Sequence, residues 1–236
     1  MLALYIWVSL ILPYVWGNTE KTIFLGPSPV DVQSRTYPTL DYLRLISLSP
    51  DKSAVRTHLK AEHPGRDSRP GAPSWFVLHN LTESQRYEVR VCWAATQPTT
   101  FKMEVYELET VFRAPELTSE LSEYASITSS ENPHVTISSQ TPKPGIKESG
   151  IKESILLLRV FTAADYYSTN HTWMENALPV PVDIILDPFL FNILPRSLLT
   201  TVIYTVAVAI VSWFMGGEIS SWVRQVATEP TKQKWQ

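Results

Sequence analysis

Hydrophobic and polar positions alternate along much of this chain. Tyr87-Glu88-Val89-Arg90-Val91-Cys92-Trp93 puts Tyr, Val, Val and Trp on one side and Glu, Arg and Cys on the other. That period of two predicts a half-buried strand. Strand-like runs also occupy 22–25, 42–48, 75–78, 99–108, 155–162 and 180–186. Residues 58–70 read as a polar, proline-bearing loop. From 114 to 154 the pattern lapses into Ser, Thr, Glu, Pro and Lys, with Gly-Ile-Lys-Glu-Ser repeated back to back at 145–154. Such composition predicts a disordered surface loop, which tolerates insertion at small entropic cost.

One spacing is more specific than alternation. Leu78-x-x-Leu81 is followed six residues later by Tyr87-x-Val89-x-Val91. It resembles the corner of fibronectin type III and immunoglobulin-like sandwiches, where a tyrosine bonds back to the preceding turn and the leucines fill the core. The expected fold is therefore mostly β: an antiparallel β-sandwich over 18–187, followed by a single C-terminal transmembrane helix. Such a fold assigns no activity.

The apolar pattern changes again near the C-terminus. From Ser197 to Met215 there is no formal charge, bounded by Arg196 and Glu218. Residues 197–216 are long enough to cross a bilayer. Within them Ser197, Thr200, Thr201, Tyr204, Thr205, Ser212 and Gly216 recur at helical spacing along one face. In lipid, small and hydroxyl side chains permit close helix packing and interhelical hydrogen bonds. Thr201, Tyr204 and Thr205 are thus candidates for contact with another membrane protein. The competing reading is that such hydroxyls bond back to their own helix. Residues 188–196, with Pro188, Phe189, Phe191, Pro195 and Arg196, are too short to cross. They read as an interfacial segment lying at the membrane surface or against a partner.

The two ends set an expected address. Residues 1–17 have a short apolar core, a helix-breaking Pro13 and small residues before Asn18, the pattern of a cleaved signal peptide. Residues 217–236 read as a cytosolic tail, with Lys232 and Lys234 placed as a dilysine retrieval signal for vesicle coat proteins. Arg224, Lys232 and Lys234 give the tail side its excess of basic residues. The expected topology is a single-pass type I protein of the endoplasmic reticulum membrane, with its body in the lumen. Asn80-Leu81-Thr82 and Asn170-His171-Thr172 are glycosylation sequons compatible with that placement.

Candidate chemistry is sparse. Net charge is −3, which does not favour nucleic acid, and Cys92 is the one cysteine, so no intrachain disulfide forms. The histidines at 58, 63, 79, 134 and 171 lack metal-ligand spacing. Asp183 and Asp187 are the acids closest to the expected lumenal interface and read as structural or turn residues. No catalytic, metal-binding or cofactor-binding residues are expected.

Taken together, the signal-like start, the β-rich body without cysteine pairs, the segment Asp187-Pro188-Phe189-Leu190-Phe191-Asn192-Ile193-Leu194-Pro195-Arg196-Ser197-Leu198 and the terminal span resemble a known family. It is the fungal co-activator of GPI mannosyltransferase II, the non-catalytic partner of the enzyme that adds the second mannose to the GPI anchor precursor. The resemblance is strongest over 181–221. It implies an accessory subunit that stabilises or activates a multi-span mannosyltransferase of the endoplasmic reticulum, with no catalytic residues to carry over. Three alternatives stay open: the accessory subunit of the enzyme adding the first mannose, a recycling cargo receptor or lumenal chaperone, and a membrane-anchored lumenal enzyme.

Overall fold

The computed structural model describes residues 18–31, 43–64, 70–131 and 152–228. The chain divides into two compact units, 1–188 and 189–236. Unit one is β-rich. Its first sheet contains β1 (Thr19–Leu25), β4 (Ala54–Leu59), β6 (Arg86–Trp93) and β10 (Val180–Leu190). β6 lies between β1 and β10, and β4 covers the other edge of β10, all antiparallel. The second sheet has the order β3 (Ile46–Leu48), β5 (Ala72–Leu78), β9 (Leu156–Ala164), β7 (Thr99–Glu107). Only its β3–β5 pair is parallel. A two-stranded ribbon joins β2 (Val30–Asp31) to β8 (Lys152–Glu153).

One apolar cluster draws on both sheets: Tyr87, Val89 and Val91 of β6, Val182, Ile184 and Leu186 of β10, Phe76 and Leu78 of β5, and Leu158 and Val160 of β9. The alternation predicted for β6 is present, since Tyr87, Val89 and Val91 are fully buried. Burying each such side chain contributes about 1.5–3 kcal/mol.

The second sheet is buried on its other face as well. Trp75, Val77 and Leu157 point away from the first cluster and join Leu108, Val111 and Leu121 in a second one. This explains why 155–158 is continuously apolar rather than alternating: both faces of β9 are covered. The cover comes from α1 (Leu108–Arg113) and α2 (Pro115–Glu131). Residues 115–131 are therefore helical, which corrects the expectation of disorder across 114–154. The physical reason is a stripe hidden in a polar composition. Leu117, Leu121, Tyr124 and Ala125 recur at helical spacing, and Leu121 and Ala125 are buried. The second copy of the pentapeptide repeat ends in β8, and Ser154 Oγ donates to the Pro27 carbonyl at 2.7 Å. Most of the repeat lies outside the described residues, as do 1–17 and 229–236.

Residues 58 and 59 close β4 rather than opening a loop. Val55, Thr57 and Leu59 turn inward while Ala54, Arg56 and His58 are exposed. The short helix α3 (His171–Glu175) is capped by Asn170, whose Oδ1 accepts from the Thr172 N–H at 3.0 Å.

Candidate membrane and partner interface

The second unit begins inside β10. Phe189 pairs with Pro195 and Leu190 with Leu194, making a hairpin with β11 (Leu194–Pro195). A 3-10 turn over Arg196–Leu198 leads into α4 (Leu199–Thr228). The 188–196 segment is thus an ordered hairpin arm. The strand pattern of 180–186 simply continues. Beyond Leu186 its buried phase switches, so that Asp187 and Phe189 are covered instead. Phe189 is buried and Pro188 half-buried.

At the hairpin's end the chain turns sharply. The Ile193 N–H donates to the Leu190 carbonyl at 3.1 Å. The two intervening residues, Phe191 and Asn192, have φ of 53° and 58°. Left-handed backbone is unusual for an aromatic residue. Phe191 is 95% exposed and Ile193 79% exposed. Pro195 is half-buried, and Arg196 is exposed.

α4 contains 30 residues. At about 1.5 Å per residue it is roughly 45 Å long, against a hydrocarbon thickness of about 30 Å. It is the one helix among the described residues that is long and apolar enough to cross a membrane. Its uncharged run explains its start, and the helix passes Gly216 and Gly217 unbroken, twelve residues beyond the expected end at 216. Every described side chain on it is exposed. Ile203, Val206, Ile210 and Phe214 therefore need a lipid or protein environment that the described residues do not supply.

The predicted hydroxyl face is present but unequal. Thr205 Oγ1 donates to the Thr201 carbonyl at 2.8 Å. Its hydrogen is spent within the helix. Thr201 and Tyr204 are exposed on the same face, and Tyr204 is 70% exposed. Lys232 and Lys234 lie outside the described residues.

Unit one holds the remaining residues singled out above. Asn80 is exposed with φ of 54°, and its Nδ2 donates to Asp51 at 3.3 Å. Asn170 is exposed as the α3 cap. Asp183 accepts from Arg56 Nε at 2.7 Å and Nη2 at 2.8 Å. That fork holds the carboxyl below the usual range. Arg56, Asp183 and Cys92 are cross-strand neighbours in one row. With Trp93 they line an open cleft of about 300 Å³. Asp187 and Glu88, also directly opposed across β10 and β6, are both buried. Glu88 meets Lys21 at 3.3 Å and Arg90 at 3.8 Å.

The histidines are dispersed. His63 Nε2 meets the Trp173 carbonyl at 3.1 Å and packs edge-on to Tyr166. His79 meets Glu153 at 3.2 Å. Among the described residues no three His, Cys, Asp or Glu side chains come together as a metal site.

Sequence reasoning missed the strongest polar hub. Arg159 Nη2 donates to Glu104 at 2.5 Å and to Tyr106 Oη at 2.9 Å, and its Nη1 reaches Glu120 of α2 at 3.3 Å. Its guanidinium lies 4.5 Å from the Phe161 ring centre and 5.6 Å from that of Trp75. Trp75 Nε1 donates to the same Glu120 at 3.1 Å. The hub ties α2 to the sheet. Its only sequence signal was an arginine inside an otherwise apolar strand.

Fold and helix together define a class: a β-rich domain with two main sheets, followed by one helix able to cross a membrane. No family model, curated protein or solved structure matches the chain.

Proposed function

We propose that this chain is a non-catalytic accessory subunit of an endoplasmic reticulum mannosyltransferase, the multi-span enzyme that adds the second mannose to the GPI anchor precursor. The observation that carries the reading is α4. It is a long apolar helix, exposed along its described length, whose hydroxyl face offers Thr201 and Tyr204 to a neighbouring helix. A span of this kind packs through small and hydroxyl side chains rather than through hydrophobicity. The resemblance over 181–221 supplies the identity of the neighbour, and catalysis is assigned to that partner.

The body is read as an antiparallel β-sandwich of the fibronectin type III/immunoglobulin kind. The tyrosine corner at Tyr87 and the single apolar cluster fed by both sheets support this. Orientation is read as type I. The signal-like start, the basic residues Arg224, Lys232 and Lys234 after the span, and the dilysine spacing support it. The retrieval signal meets vesicle coat proteins, and Asn80 and Asn170 carry glycans in the lumen.

Affinity purification of the full chain in mild detergent tests the reading. A stoichiometric GPI mannosyltransferase II is the expected companion. Recovery of the first-mannose enzyme instead would reassign the partner. A mixture of secretory clients would replace the subunit with a receptor or chaperone.

A further inference from the structure

The hairpin tip has a use that partner binding through α4 does not explain. We infer that the turn at 191–193 is a lipid anchor: the Phe191 ring and the Ile193 side chain insert at the headgroup–acyl boundary of a phospholipid bilayer, next to the point where α4 crosses. The inference rests on the reading of α4 as a membrane span.

Four observations converge. Phe191 and Ile193 are among the most exposed apolar side chains of the described residues, at 95% and 79%. Their exposure is built in rather than a loose loop, because β10–β11 pairing and the Ile193–Leu190 hydrogen bond hold the turn. That turn keeps Phe191 in the left-handed region, where glycine or asparagine is usual, and such conformations persist when the surroundings impose them. Lastly, the tip is close to the span in the chain. Ile193 precedes Ser197, the first residue of the uncharged run, by four positions, a reach of at most about 14 Å.

Charge selects lipid over other occupants. Between 188 and 217 the one formal charge is Arg196, which separates tip from span and is exposed. An arginine flanked by a Phe–Ile tip and an apolar helix matches the layering of phosphate above acyl chain. No carboxylate in that stretch opposes a phosphate surface.

Depth measurement by spin labelling tests the inference on the full chain, reconstituted in vesicles of phosphatidylcholine and phosphatidylinositol. Single labels replace Phe191→Cys, Ile193→Cys and Ile210→Cys, each with Cys92→Ser. The labels at 191 and 193 are expected to gain collisions with oxygen and lose collisions with a water-soluble nickel chelate, at a depth shallower than the label at 210. Nickel accessibility equal to that of a label free in water at both tip positions, with 210 deep, overturns the anchor and leaves the span standing. A label at 210 open to nickel overturns the span itself. Tip labels shielded from both oxygen and nickel would mean that protein covers the turn, and would also overturn the anchor.

Discussion

The Tyr87 hydroxyl accepts a hydrogen bond from the backbone N–H of Thr82 at 2.9 Å and donates one to Gln85 Oε1 at 2.9 Å. A strand residue at the edge of the core is thereby fastened to the turn that precedes it. Gly26 completes the joint. Its N–H donates to the Gln85 carbonyl at 2.8 Å, and a side chain there would run into the Thr82 carbonyl.

Tyr87→Phe keeps the ring and removes both bonds. The Thr82 N–H then loses a partner in a half-buried site, which costs about 1–2 kcal/mol. Chemical denaturation of the detergent-solubilised chain should show that loss with an unchanged slope. An unchanged midpoint would mean that the corner contributes nothing.

Arg159→Leu removes the hub beneath α2. Glu104 and Glu120 keep about a quarter of their side-chain surface wet, at 24% and 29%. The expected cost is therefore about 2–3 kcal/mol, below that of breaking a fully buried pair. Because Glu120 belongs to α2, hydrogen exchange should accelerate in 115–131 before it accelerates in β6.

The same cluster predicts an acid limb. Burial alone would raise the Glu104 carboxyl, but hydrogen bonds from Arg159, Lys102 and Tyr106 outweigh it and hold the group at about 2 against an ordinary 4.5. A depressed folded value contributes stability above 4.5, and that contribution drains away as pH falls from 4.5 toward about 2. Glu104→Gln should be less stable at neutral pH and should show a shallower stability loss across that window. Denaturation midpoints at a series of pH values check it.

On α4 the hydroxyl face divides into engaged and available groups. Thr205→Val should leave partner recovery unchanged, because its hydroxyl already serves the Thr201 carbonyl. Thr201→Leu with Tyr204→Leu should reduce co-purification while membrane insertion persists. Recovery of the partner at the parental level from the double variant would place binding elsewhere on the chain.

Much of the fold was legible because its strands carry a simple period. The runs at 22–25, 75–78, 87–94, 99–108, 155–162 and 180–186 all fall on observed strands, and the Leu78, Leu81 and Tyr87 spacing marked the corner. Of 42–48 only Ile46–Leu48 pairs. β4 escaped because its exposed, polar His58 reads as the start of a loop over 58–70. α2 escaped because serine, threonine and glutamate masked its apolar stripe. The hairpin after Pro188 escaped because two prolines and a run of large apolar residues hid its strand pairing. The hydroxyl face on α4 was legible from spacing, but the sequence did not say which hydroxyl bonds within the helix. That depends on a rotamer.

Orientation carries the whole account, and limited proteolysis of sealed microsomes tests it most directly. With an epitope fused after Gln236, added protease should remove the epitope and leave the domain containing Asn80 and Asn170 intact. A protected epitope, or a digested domain, would contradict a body inside the secretory pathway and a tail outside it.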